Sequence, residues 1–158
     1  MNNTPKMIGV ISDTHGLLRE EVFDLFDGVD LILHAGDIGN MEIITSLNNI
    51  AKTVSVIGNT DNYYFMDNIS KTEHIRFENK YIYLIHNVQE IDINLSSAGV
   101  NLVVFGHTHQ PDFFYDKDIL FFNPGSAGPK RRDLPISVGI IEIAEGKITP
   151  KIKYIKET

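Results

Sequence analysis

The sequence predicts an α/β domain of two packed sheets with helices outside. Three observations carry that expectation. Up to Asp61, short apolar runs alternate with helical stripes in the order βαβαβ, the signature of parallel strands joined by right-handed crossovers. Beyond Asp61 the runs are nearly all β and are separated by short turns. Residues of one chemical kind recur where the apolar runs end, as expected when ligands gather at the carboxyl ends of strands in open α/β sheets.

The elements follow in order. KMIGVIS is an apolar strand, followed by the polar loop DTHG. Leu18, Val22, Leu25, Phe26 and Val29 form a helical stripe. DLILHAGD is the second strand with its loop. Asn40 can N-cap the next helix, whose core face is Ile43, Ile44, Leu47 and Ile50. KTVSVIG is the third strand and runs into GNTD. NYYFMDNISK is a polar and aromatic loop. HIRF and YIYLIH read as a hairpin turning at Glu78, Asn79 and Lys80. A short helix is expected around Ile91, Leu95 and Ala98, stopped by Gly99. VNLVVFG is a further buried strand. DFFY and ILFFN pair around DKD, and ISVGIIEI and KITPKIKYI pair around Glu145 and Gly146. No repeat, low-complexity tract or linker interrupts this, so residues 1–158 are expected to form one domain.

Composition narrows the function classes. The hydrophobic content of 42% is enough to bury a core at this length. No run of about 18 apolar residues is present, so no transmembrane helix or membrane association is expected. MNNTPKMIGV lacks a basic stretch leading into a long apolar run, so no signal peptide is expected either. The absence of cysteine excludes disulfides and thiolate-bound metal and suits a cytoplasmic setting. The net charge of −7 weakens non-specific attraction to nucleic acid, so no stable nucleic-acid binding is expected. An anionic substrate would need a local attractor, such as a metal. The oligomeric state is open, with a homo-oligomer among the options.

The strand ends supply such an attractor. Asp13 and His15 follow the first strand, Asp37 the second, and Asn59 and Asp61 the third; His86 ends YIYLIH, and His107 and His109 follow LVVF. In an extended segment, residues i and i+2 point to one side, so His107 with His109, and Asp13 with His15, are expected to converge. Carboxylate, amide and imidazole donors without thiolate suit Mn, Fe, Zn, Ni or Co. Two ions need a bridge, and Asp37 is the candidate. With Asp13 and Asp37 as the anionic ligands, two divalent cations keep a formal charge of about +2, which a phosphate ester would seek.

The ordered motifs DTH, GD, GNTD, the lone His86 and GHTH resemble the calcineurin-like metallophosphoesterase superfamily, and within it the small single-domain bacterial and archaeal phosphodiesterases. The resemblance runs from about Met7 to Ile143, and NPGSAGPKR also looks like that subfamily. It implies a four-layer α/β/β/α sandwich of two mixed sheets. It also implies that Asp13, His15 and His109 hold one ion and Asn59, His86 and His107 the other, with Asp37 bridging. The expected activity is hydrolysis of a small phosphodiester by in-line attack of a metal-bridging hydroxide. His107 and Asn59 would stabilise the phosphoryl oxygens. The cofactors would be two divalent ions, manganese foremost.

Two positions depart from the family pattern. Thr60 stands where many members have a histidine that protonates the leaving group, and a threonine hydroxyl has no useful acidity near neutral pH. Asn87 follows His86 where glycine is usual; asparagine tolerates left-handed backbone, so His86 is still expected to reach the metal. Other residues admit two readings. His34 is either a hydrogen-bonding support of the ligands or a satisfied core histidine. His74 is expected to be structural. Asp61 either orients a ligand or a water or caps the following loop. Lys130, Arg131 and Arg132 form either a solvated loop or a phosphate-binding one. Tyr63, Tyr64, Phe65 and Met66 could form a base-stacking wall, a dimer contact or a local core, and contact or core is expected. Against the phosphodiesterase stand a scaffold resembling the retromer subunit of the same fold, and a phosphomonoesterase. The complete ligand set favours the enzyme over the scaffold, and Thr60 weakens the monoesterase. A nuclease of this kind would normally carry added domains for DNA, and a nuclease is therefore not expected.

Overall fold

A computed structural model of the chain describes residues 4–62, 66 and 68–157. The first βαβαβ unit forms as the alternation of stripes requires. It comprises β1 (Lys6–Ile11), α1 (Glu20–Leu25), β2 (Leu31–His34), α2 (Met41–Asn48) and β3 (Thr53–Ser55). Its strands pair in parallel, β1 with β2 and β2 with β3. The Asn40 side chain accepts from Glu42 N and caps α2. Ile43, Ile44 and Leu47 are buried, as their spacing predicts.

The second half is β4 (Thr72–Phe77), β5 (Lys80–Ile85), a 3₁₀ turn (Val88–Glu90), β6 (Leu102–Val104), β7 (Asp112–Asp116), β8 (Ile119–Asn123), β9 (Ile136–Ala144) and β10 (Lys147–Ile155). One sheet has the order β10-β9-β1-β2-β3 and the other β4-β5-β6-β8-β7. Both are mixed. β9 runs antiparallel to β1 and to β10, while β5, β6 and β8 run parallel between antiparallel β4 and β7.

Alternation along each strand distributes the core into three layers. Ile8 and Val10 of β1 face the second sheet and pack with Leu33, Leu84, Val104 and Phe122 between the sheets. Ile11 and Ile32 face outward, under Val22 of the first helix, Phe26 at its C-terminal cap and Leu47 of the second helix. On the far side, Tyr83, Val103 and Phe121 lie under Ile91, Ile93 and Leu95. Met66 belongs to the helix-side core; Tyr63, Tyr64 and Phe65 lie outside the described residues.

The expected helix around Ile91, Leu95 and Ala98 does not form. Asn87 caps the 3₁₀ turn through Gln89 N, and Asn94 Oδ1 accepts from Ser97 N in a single turn that ends at Gly99, where φ is +73°. Polar side chains bonding their own backbone this closely compete with a continuous helix. Ile91, Ile93 and Leu95 cover the sheet at alternating spacing, an extended rather than a helical pattern. The fourth layer is therefore thin and mostly irregular. Among the described residues no helix is long and apolar enough to cross a membrane.

Candidate metal centre

Every candidate ligand follows a strand at one end of the two sheets. β1 delivers Asp13 and His15, β2 Asp37, β3 Asn59, β5 His86, and β6 His107 and His109. The aiming is done by turns. Asp13, His15, Asp37, His107 and His109 all have left-handed backbone, with φ of +57°, +47°, +55°, +74° and +64°. These segments are therefore not extended, and i/i+2 spacing along a strand is not what aims the side chains. Asp and His enter this region more readily than most residues, and each still costs on the order of 1 kcal/mol or more.

Cross-loop bonds hold that conformation. Asp13 N donates to Gly36 O at 2.9 Å, His15 N to Asp37 O at 2.9 Å, and Gly16 N to Ile38 O at 2.8 Å, zipping the β1 and β2 loops together. Asp61 is the clasp on the third loop. Its Oδ1 accepts from Ile38 N (2.8 Å) and Gly39 N (3.1 Å), and its Oδ2 from Gly58 N (2.9 Å). A Cβ at Gly58 would overlap Asp37 Oδ1, and one at Gly106 would overlap Ser12 Oγ, so these loops pack too closely for any side chain there.

His34 is fully buried and satisfied. Gly36 N–H donates to its Nδ1 (3.1 Å), so the ring proton sits on Nε2, facing Thr14 Oγ1 at 3.0 Å; Thr14 in turn donates to Ile38 O at 2.8 Å. Burial lowers its pKa to about 4 against the opposing fields of Asp13 and Asp61, so it is a neutral brace between two ligand loops.

Each carboxylate has one oxygen occupied and one aimed inward. Asp13 Oδ2 accepts from Ser12 Oγ (2.6 Å) and His107 N (3.2 Å), and Asp37 Oδ1 accepts from Thr60 N (2.9 Å). The other oxygens meet imidazole nitrogens. Asp13 Oδ1 lies 3.2 Å from His109 Nε2, 3.9 Å from His15 Nε2 and 4.0 Å from His86 Nε2. Asp37 Oδ2 lies 3.3 Å from His86 Nε2 and 3.7 Å from His15 Nε2. His86 Nδ1 donates to Ala35 O at 2.7 Å, which leaves its Nε2 facing Asp37 and, at 3.0 Å, Asn59 Oδ1.

Buried Asp13 Oδ1 and His15 Nε2 have no hydrogen-bond partner. Buried polar atoms that face one another without a hydrogen bond are costly unless a cation lies between them. The electrostatics agree. Burial opposes charge on both Asp37 and His86. Hydrogen bonds from His86 and Thr60 nevertheless hold the Asp37 carboxyl well below the usual range. The bond to Asp37 and the field of Asp13 raise the His86 pKa. A field that favours a proton on His86 also favours a metal cation there.

The ligand atoms fall into two groups, each within 4.8 Å: Asp13, His15 and His109, and Asp13, Asp37 and His86. Asp37 stands between His15 and His86, and Asp13 is common to both groups, a sharing that sequence order did not indicate. Asn59 joins the second group through its contact with His86. His107 is exposed at the rim, its ring edge-on to His86 with centroids 5.2 Å apart, while buried His109 pairs with His15 at 5.5 Å. The two histidines of GHTH thus address different groups.

The remaining residues resolve as follows. Thr60 contributes its backbone N–H to Asp37. Asn87 has φ of −112°, so no left-handed backbone is needed after His86. Exposed His74 stands edge-on to Tyr83 and is structural. Lys130 reaches Leu134 O and Glu157, away from the ligands, and Arg131 and Arg132 are exposed. Sequence reasoning missed the support given by NPGSAG. Asn123 Nδ2 donates to Gly106 O and Thr108 Oγ1, and Ser126 Oγ donates to Asp13 O. The signal was a run of small residues directly after a buried strand.

Similarity to known proteins extends over nearly the whole chain. Residues 7–146 match the family model of the calcineurin-like phosphoesterase superfamily domain. "Probable metallophosphoesterase MJ0623" of Methanocaldococcus jannaschii is 36% identical, over 91% of this chain and 81% of that protein. The structure described as that of a novel archaeal phosphodiesterase superimposes with a TM-score of 0.76 at 21% identity, covering 93% of this chain and 99% of the other. Vacuolar protein sorting 29 of Cryptosporidium parvum has the same fold, with a TM-score of 0.75 at 20% identity over 97% and 99% of the two chains. With the family model spanning nearly the whole chain, the protein belongs to the calcineurin-like phosphoesterase superfamily.

Proposed function

We propose that residues 1–158 form one domain acting as a phosphodiesterase that depends on a pair of divalent metal ions. The observation that carries this reading is the convergence of two buried carboxylate oxygens and three imidazole nitrogens, including orphaned Asp13 Oδ1 and His15 Nε2. Asp13, His15 and His109 would hold one ion and Asn59, His86 and His107 the other, with Asp37 between them. When bound, the ions would supply Lewis-acid charge and a nucleophilic water near neutral pH. Manganese is the first choice; iron, zinc, nickel and cobalt suit the same donors.

The chain's own residues then hold the geometry. Ser12, Thr60 and His107 N fix the outward carboxylate oxygens, so the inward ones cannot rotate away. Exposed His107 and Asn59 border the opening and are placed to receive the phosphoryl oxygens. Thr60 supplies a backbone bond and no acid, so the leaving oxygen departs without a strong protein donor.

A scaffold sharing the Vps29 fold is the competing reading, but a chain used only for docking has no need of buried, unpartnered ligand atoms. The test is a screen of metal-stripped protein reloaded with each divalent ion, assayed on bis-aryl phosphate diesters. Metal-dependent cleavage with close to two ions per chain supports the proposal. Full activity in the chelated protein, or partner binding without any hydrolysis under any metal, overturns it.

A further inference from the structure

A cavity of about 660 Å³ adjoins the candidate centre on its His86 side. Two candidate ligands, Asn59 and His86, belong to its wall, together with Lys71, Thr72, Glu90 and Asp92. The volume lies within the range of small-molecule sites and exceeds what a phosphate group itself needs. It is therefore room for an ester arm of the substrate.

The charges on the lining say which arm. Among the described residues, one lysine and two carboxylates give it a formal charge of −1, in a chain whose net charge is −7. An arm bearing a second phosphate would meet net repulsion there, while a short cationic arm would meet Glu90 and Asp92. Glu90 ends the 3₁₀ turn and Asp92 lies two residues on, in the irregular segment that replaces the expected helix. Lys71, directly before β4, leaves a donor for a hydroxyl or carbonyl on the same arm.

We infer that this cavity receives an ester arm of the diester and selects arms of amino-alcohol type over anionic ones. The inference rests on the phosphodiesterase reading and adds the substrate class. All three charged residues are exposed, so the selection is expected to be moderate and sensitive to salt.

The experiment uses metal-loaded full chain and three para-nitrophenyl phosphate diesters sharing one leaving group. Their second arms are aminobutyl, pentyl and carboxybutyl, matched in length and differing in charge. At low ionic strength kcat/KM should fall in that order, by about three- to tenfold from first to last. The spread should narrow with added salt. Glu90→Gln with Asp92→Asn should flatten the order, and Lys71→Met should widen it. Calorimetric binding of the matching alkyl methylphosphonates should follow the same ranking. Equal kcat/KM for all three diesters would overturn the charge selection and leave the phosphodiesterase standing. No cleavage of any diester under any metal would overturn both.

Discussion

The hairpin turns and the ligand loops share a backbone conformation that most residues avoid. At Glu78–Asn79, Lys117–Asp118 and Glu145–Gly146, two successive residues have positive φ. These two-residue turns match the right-handed twist of the strands they join, so the strain has a local cause and a local return. At Asp13, His15, Asp37, His107 and His109 no hairpin asks for it. There the conformation is imposed from far along the chain, by bonds such as His107 N to Asp13 Oδ2 and Ser126 Oγ to Asp13 O. Strain in the turns serves folding; strain in the loops serves aim.

That contrast can be broken by substitution. The largest effect should come from the aimed side chains. His109→Ala and Asp37→Asn should each lower metal-dependent diesterase activity by roughly 10²–10³-fold while circular dichroism shows the fold retained. Loss of the fold instead would mean these residues are structural. Asp61→Ala should act next, through the loops. It strands three backbone N–H groups and should destabilise by about 3–5 kcal/mol in urea titration, with weaker metal binding. If metal affinity is unchanged, Asp61 is only a cap.

The third prediction concerns pH in the metal-free protein. His34 has a folded pKa lowered from 6.5 to about 4, so the unfolded chain binds its proton first. Stability should fall as pH drops from about 6.5 to 4, by on the order of 3 kcal/mol. His86 has a raised pKa, so its contribution is full below about 6.5 and is lost at higher pH. Asp37, with a lowered pKa, loses its contribution only below about 3.8. The His34 window is therefore separate, and His34→Gln should flatten the slope within it.

The smallest effect belongs to the turns. Asp118→Gly removes a side chain from left-handed backbone and should raise stability by about 0.5–1 kcal/mol with kinetics untouched. A change in kcat would show that turn strain and loop strain are coupled.

The candidate ligands were legible because strand ends are marked by the chemistry itself: an apolar run stops, a turn follows, and an Asp, Asn or His stands there. All seven lie past expected strands, four after β1, β2 and β3 and three after β5 and β6. What was not legible is how they are aimed. Period-two reasoning assumed extended loops, and the left-handed φ at His107 and His109 depends on contacts with residues nearly a hundred positions away. The supports Ser12, Asn123 and Ser126 were hidden for the same reason, since one polar side chain has no periodicity of its own. The segment after Asn87 misled because Ile91, Leu95 and Ala98 fit a helical spacing, whereas Ile93 reveals the alternation that packs.

The candidate ligands come from both sheets: β1, β2 and β3 on one side, β5 and β6 on the other. Ions held among them would act as rivets between two layers that also share hydrogen bonds here, such as His107 N to Asp13 Oδ2 and His86 Nδ1 to Ala35 O. Metal binding and the cohesion of the sandwich then become one equilibrium. At a free ion concentration a thousand times the dissociation constant, one site adds about 4 kcal/mol to the stability of the whole sandwich. A cell that lowers its free metal would then both silence such a protein and loosen it, making metal supply a control on its lifetime as well as its activity.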